Sequence, residues 1–99
     1  MMHTLTPDAR ETAILTRAIQ PDNHNLSTSA AQALLRIQLD PQDRERLHDL
    51  LEKNQEDALT KDERSELTSF LRVGLVVDLL QAKARAALQA AKRRPARNH

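Results

Sequence analysis

Four histidines supply the side chains best suited to acid–base chemistry at neutral pH. They are His3, His24, His48 and His99, and they are scattered along the chain. Only His48 has a carboxylate beside it, that of Asp49. Adjacent residues of a helix point about 100° apart, so these two side chains cannot form a catalytic dyad. The sequence therefore predicts a protein that is not an enzyme.

Metal and phosphate sites are also not indicated. The chain has no cysteine, which excludes disulfides and thiolate metal ligands. Residues 52–66 are rich in acids but lack the spaced carboxylates and central glycine of a calcium-binding EF-hand loop. The single glycine, Gly74, falls within a predicted helix, so there is no glycine-rich phosphate loop. We expect no metal, no cofactor and no small-molecule substrate.

Basic residues concentrate at the C-terminal end. Residues 1–78 hold nine Lys/Arg against fourteen Asp/Glu, a net charge of −5, whereas residues 79–99 hold six Lys/Arg and no acid. Such cations could bind nucleic-acid phosphates in a salt-dependent, sequence-independent way, although no aromatic residue accompanies them for base stacking. The alternative is a solvated helix end whose cations favour the negative pole of the helix. The nucleic-acid candidates are Lys83, Arg85, Lys92, Arg93, Arg94 and Arg97.

An apolar segment stands upstream of the basic end. Residues 74–80 read GLVVDLL and are apolar nearly all the way around a helix, a pattern typical of a helix buried on more than one side. An ordinary core would explain it, and so would a protein partner or a homodimer, for which one self-complementary patch suffices. Asp78 should face solvent or meet an arginine, because an unpaired buried carboxylate is costly. The candidate interface residues are Phe70, Leu71, Leu75, Val76, Val77, Leu79 and Leu80.

Composition indicates the scaffold that carries these residues. Leu and Ala supply most of the 39% apolar content, and there is one Phe, one Gly and no Trp or Tyr. This composition predicts an all-α fold, which we expect to be a single helical domain over residues 1–94 followed by a disordered basic tail over 95–99. Neither a signal peptide nor an apolar run of about 20 residues is present, so we expect no membrane contact and a cytoplasmic location.

Three short helices are predicted from their start signals. Thr6-Pro7 and Asp40-Pro41 each place an N-cap residue before a proline, which favours helix starts there. Ser27 is the N-cap of the second helix, with Ser29 as a competing start. The predicted helices cover residues 7–20, 28–39 and 41–54.

A long fourth helix is the dominant element. Thr60 and Glu63 have the spacing of a capping box, in which each side chain binds the other residue's backbone N–H. The helix should run to Arg94, before Pro95, and would be about 50 Å long, unless it breaks at Gly74. The short connection before Thr60 predicts an antiparallel hairpin of helices 3 and 4.

Residues 26–88 resemble a group of uncharacterised small bacterial all-helical proteins. The matching segments are LSTSAAQALL, IQLDPQDRERLHDLLEKNQEDALTKDERSEL and LRVGLVVDLLQAKARAAL, and the chain departs from the pattern at Ala58, where Gly is expected. Such proteins are often encoded beside HNH-type nucleases. The resemblance thus implies an antitoxin-like or accessory role toward a partner protein.

Overall fold

The computed structural model describes residues 9–93, which form four α-helices and, within that range, no strand. The predicted all-α class, with three short helices and a long last one, is confirmed. The predicted start at Pro7, the predicted end at Arg94 and the tail over 95–99 lie outside the described residues. The helices are α1 (Ala9–Ile19), α2 (Thr28–Leu35), α3 (Pro41–Gln55) and α4 (Lys61–Arg93).

The start signals of α2 and α3 act as predicted. The Ser27 hydroxyl accepts a hydrogen bond from the Ala30 backbone N–H at 3.1 Å, so Ser27 is the N-cap and the competing start at Ser29 is not used. The Asp40 carboxylate accepts from the Gln42 N–H at 3.0 Å, directly before a proline in the first turn. Each bond satisfies a backbone donor that the helix itself leaves unpaired.

The predicted capping box of α4 is formed in both directions. The Glu63 N–H donates to the Thr60 hydroxyl at 3.0 Å, and the Thr60 N–H donates to the Glu63 carboxylate at 3.0 Å. Asp62 and Glu63 also place negative charge in the first turn, where the helix dipole favours it.

The predicted end of helix 2 at Leu39 is wrong, because α2 ends four residues earlier, at Leu35. Asp40 must be extended to act as an N-cap before Pro41, and its φ and ψ of −55° and 147° show that it is. After Leu35 the backbone forms two tighter i→i−3 bonds, from the Arg36 N–H to the Ala33 carbonyl and from the Ile37 N–H to the Leu34 carbonyl, each at 3.1 Å, and then leaves the helix. The exit is stabilised from α4, where the Gln81 amide donates to the carbonyls of Leu34 at 3.2 Å and Ile37 at 2.8 Å.

Helix α4 is the scaffold on which the other helices assemble. It continues through Gly74 without a break, so its 33 residues span about 50 Å at 1.5 Å per residue. Each of α1, α2 and α3 packs against α4, and among the described helices no two of these three pack against each other. Strips of α4 between the short helices are therefore left without a covering helix.

The order of contacts shows how α1 and α2 lie along α4. Glu11 meets Arg72 and Ile19 meets Lys83, so α1 runs parallel to α4. In α2 the order is reversed. Its end meets Gln81, while Ala31 packs farther along α4 in a cluster completed by Ala84, Ala87, Leu26, Leu34, Leu35 and Leu88.

Helix α3 lies along the first half of α4. Lys53 pairs with Glu63 and Arg46 pairs with Glu66, while Leu50 and Leu67 are fully buried. This order of pairs is the one expected when two helices are antiparallel. The antiparallel hairpin of α3 and α4 stays a prediction.

The molecule is elongated and thin. Its radius of gyration is 17.3 Å and its extents are 61 × 30 × 16 Å, compared with a radius of about 13 Å for a compact domain of 100 residues. The described residues include no helix long and apolar enough to cross a membrane. A thin body of this kind leaves much of its apolar surface only partly covered.

Candidate interaction surface

The seven predicted interface residues share one property: all are partly buried, and none is fully buried or freely exposed. Because the short helices approach α4 from different sides, each residue gains some cover. Asp78 is exposed, as expected of a carboxylate in this segment. The partly buried set is Phe70, Leu71, Leu75, Val76, Val77, Leu79 and Leu80.

The most exposed large apolar side chain of α4 is Val73, which is 50% exposed. It lines a cleft of about 360 Å³ between α4 and the start of α3, which we call the Val73 cleft. Apolar lining comes from Val73, Phe70 and Leu39, and polar lining from Asp43, Glu66 and Ser69. This is the place where the described surface combines concavity with an exposed apolar side chain of α4.

The edge of the Val73 cleft is acidic. Asp43 forms no ion pair with any residue of the described range. On α4, Glu66, Ser69 and Val73 lie on one face at a spacing of three or four residues, and Asp62 lies on the same face one turn before Glu66. The cleft thus offers apolar contact at its centre and negative charge at its rim.

A network of ion pairs fixes the wall of this cleft. The Arg46 guanidinium donates twice to the Glu66 carboxylate, at 2.9 Å each, in a bidentate pair. The Lys53 ammonium donates to Glu63 at 2.6 Å. Hydrogen bonds from Lys53 and from the Thr60 backbone lower the pKa of Glu63 from its ordinary 4.5 to about 2, and the bond from Arg46 lowers the pKa of Glu66.

A second cleft separates α1 from α4. It measures about 280 Å³ and we call it the α1 cleft. The Arg72 Nε and Glu11 Oε1 atoms, 3.5 Å apart, form an ion pair at its edge. Ile14, on the α1 side, is 55% exposed. The α1 helix therefore covers α4 incompletely. The remaining lining residues are Leu15, Leu75 and Val76.

The basic residues in the C-terminal part of α4 have different surroundings. The Lys83 ammonium donates to the Ile19 carbonyl at 2.7 Å, which ties it to the end of α1. Arg85 and Lys92 line a shallow cleft of about 210 Å³ with Leu88 and Gln89. Arg93 is exposed, and the candidates Arg94 and Arg97 lie outside the described residues.

The histidines of the described range show no catalytic arrangement. His48 Nε2 lies 3.3 Å from the Glu52 carboxylate, and both side chains are mostly exposed, as expected of a surface pair one helical turn apart. His24 lies exposed in the loop before α2. No group of three or more potential metal ligands occurs between residues 9 and 93. His3 and His99 lie outside that range.

Four residues that matter to these surfaces are not among the predicted interface residues. Val73 and Leu39 line the Val73 cleft, Ile14 lines the α1 cleft, and Gln81 holds the end of α2. Val73 had a detectable signal, because it lies three residues from both Phe70 and Val76 and so borders the apolar face. Gln81 is polar at the end of an apolar run, which is typical of a side chain with a specific partner.

Comparison of the chain with protein-family models, with curated proteins and with solved structures finds no match.

Proposed function

We propose that the protein is a non-enzymatic, cytoplasmic interaction protein that binds a partner protein through the Val73 cleft. The observation that carries this proposal is Val73 itself, a valine 50% exposed beside Phe70 in a concave site. Fully burying such a side chain contributes about 1.5–3 kcal/mol, so covering its exposed half would contribute about 1 kcal/mol. Leu39 and Phe70 would add apolar contact around it.

The charges around the cleft indicate the chemistry of the partner. Asp43 has no ion-pair partner among residues 9–93 and Asp62 extends the acidic rim, so a partner segment with basic residues would be attracted. An amphipathic helix meets both requirements, because it presents an apolar stripe with flanking charges at regular spacing. The proposed partner segment is therefore a basic amphipathic helix. An antitoxin-like or accessory role would be one use of such binding.

Co-purification from the native host tests this proposal. Tagged wild-type protein and the Val73→Glu variant would be recovered in parallel, and the proteins that accompany each would be identified by mass spectrometry. We expect one stoichiometric partner with the wild type and its loss with the variant, because a carboxylate in place of the valine is costly to bury against the apolar stripe of the partner. Equal recovery of every accompanying protein by both would exclude the Val73 cleft as the binding site.

A second candidate function is nucleic-acid binding by the basic end. It is supported by the exposure of Arg85, Lys92 and Arg93 in a segment that contains no acid. Truncation after Ala91 should leave helicity nearly unchanged, since Lys92 and Arg93, the last two described residues of α4, are exposed. Binding to duplex DNA or to RNA should weaken with salt and disappear on truncation. No binding at low salt would rule out this function.

A further inference from the structure

The α1 helix is attached to the rest of the molecule differently from α2 and α3. It is the only described helix with no buried residue. Polar contacts between α1 and α4 include the pair of Glu11 with Arg72 and the bond from Lys83 to the Ile19 carbonyl. The α1 helix can therefore leave α4 without disrupting a buried cluster.

The connection that follows α1 is strained at its first residue. Gln20 has a φ of 55°, in the left-handed region that costs a non-glycine residue roughly 1–2 kcal/mol. Pro21 follows directly, and a proline disfavours helical conformations in the residue before it. The Asn23 N–H donates to the Gln20 carbonyl at 2.9 Å, which closes the turn. An extended connection would release this strain, and short strained hinges favour exchange of elements between chains.

We propose that two copies of this chain exchange their α1 helices. Each α1 would occupy, on the α4 helix of the other copy, the surface around Arg72, Val76 and Lys83 that α1 covers in the monomer, which we call the seat. The seat accepts α1 in the monomer, so every contact of α1 is available in the dimer. One reciprocal exchange satisfies both chains and closes the assembly. Residues 20–27 can span at most about 26 Å when extended, at roughly 3.3 Å per residue, which sets how far apart the two α4 helices can lie.

The exchange goes beyond the proposed function and uses a different surface. Partner binding involves the Val73 cleft, whereas the exchange involves the seat beneath α1. Dimer formation relieves the strain of two hinges and costs the translational and rotational entropy of one molecule. The stability of the dimer therefore depends on the conformation of Gln20.

The Gln20→Gly variant of the full chain tests the hinge. Glycine adopts a positive φ without strain, so it stabilises the closed monomer and removes the driving force for exchange. Because each dimer contains two hinges, we expect the dimer dissociation constant measured by sedimentation equilibrium to rise at least about tenfold. The control is Gln20→Ala, which keeps the strain and loses the side-chain bond from Asn23 at 3.1 Å, so it should not weaken the dimer.

A pair of charge variants shows whether α1 is the exchanged element. Glu11→Arg in one chain and Arg72→Glu in another each place like charges together within their own chain. Exchange between the two chains restores both opposite-charge pairs. After refolding as a mixture, native mass spectrometry should show more heterodimer than the statistical half. A wild-type chain that stays monomeric up to millimolar concentration, a statistical heterodimer fraction, or an unchanged dissociation constant for Gln20→Gly would each overturn the exchange, and none of these results bears on the Val73 cleft.

Discussion

The Lys83 ammonium of α4 donates a hydrogen bond to the backbone carbonyl of Ile19, the last residue of α1, across 2.7 Å. Carbonyl groups at the end of a helix have no partner within the helix, and a cation there also suits the helix dipole. Gln81 does the same for the end of α2. Side chains of α4 thus hold the C-terminal ends of two helices through bonds between residues more than 40 positions apart in the sequence.

Replacing Lys83 with methionine should loosen α1 while the rest of the fold persists. Methionine keeps the apolar stem and removes the charged donor, a loss of about 1–2 kcal/mol. We expect the amides of α1 to exchange with solvent faster, with α2, α3 and α4 unchanged, as measured by hydrogen exchange.

The matched control for that change is Arg85→Met, which removes a neighbouring cation that is exposed and forms no ion pair within residues 9–93. It should leave α1 protected. Equal loss of α1 protection in both variants would mean that the charge of this segment, and not the bond to Ile19, holds α1 in place.

Replacing Gly74 with alanine should stabilise the protein. A Cβ built on Gly74 meets no atom within 4 Å, and the residue lies inside a helix, where glycine costs about 1 kcal/mol relative to alanine. We expect the free energy of unfolding in urea to rise by about 1 kcal/mol. The reverse change at a neighbouring site, Ala82→Gly, should lower it by a similar amount. A Gly74→Ala protein less stable than the wild type would mean that the added methyl group clashes with a neighbouring atom.

Replacing Thr60 with alanine should cost about 1 kcal/mol, because it removes the hydroxyl that accepts from the Glu63 N–H. Thr60→Ser keeps that acceptor and serves as the control. Thermal unfolding followed by circular dichroism would compare the three proteins. An unchanged midpoint in Thr60→Ala would show that the capping box contributes nothing to stability.

Acid should weaken the junction of α3 and α4 through Glu63. Its pKa is lowered from 4.5 to about 2, first by the bond from Lys53, so its stabilising effect is complete above about pH 4.5. The effect is lost progressively as the pH falls toward about 2, where the folded protein also binds the proton. The thermal midpoint of the wild type should therefore fall more over this range than that of Glu63→Gln, which has no proton to gain. Parallel curves for the two proteins would contradict this.

Local signals in the sequence predicted the parts of the structure that depend on neighbouring residues. The caps at Ser27, Asp40 and Thr60 each bond a backbone N–H two or three residues away, so a short segment determines them. The end of α2 was mispredicted because it depends on Gln81, which is more than 40 residues away.

The Val73 cleft and the α1 cleft depend on how the short helices pack against α4, so the sequence predicts them only in part. The apolar middle of α4 was identified, but the direction from which each short helix covers it was not. Val73 is exposed because α1 and α3 approach on either side of it, a relation that no periodicity within α4 encodes. Lys83 was grouped with the other cations because its partner, a backbone carbonyl, leaves no mark in the sequence.

The affinity of the partner for three forms of the full chain tests the central claim that the Val73 cleft binds a protein. The partner recovered by co-purification would be titrated calorimetrically against the wild type, Val73→Glu and Leu51→Glu. Leu51 is the matched control, because it is 41% exposed on α3 and does not line the cleft. The lost apolar burial costs about 1 kcal/mol, and burying a carboxylate in its place adds at least about as much. We therefore predict that Val73→Glu raises the dissociation constant at least about thirtyfold and that Leu51→Glu leaves it unchanged. An unchanged affinity for Val73→Glu, or an equal loss in both variants, would contradict the account.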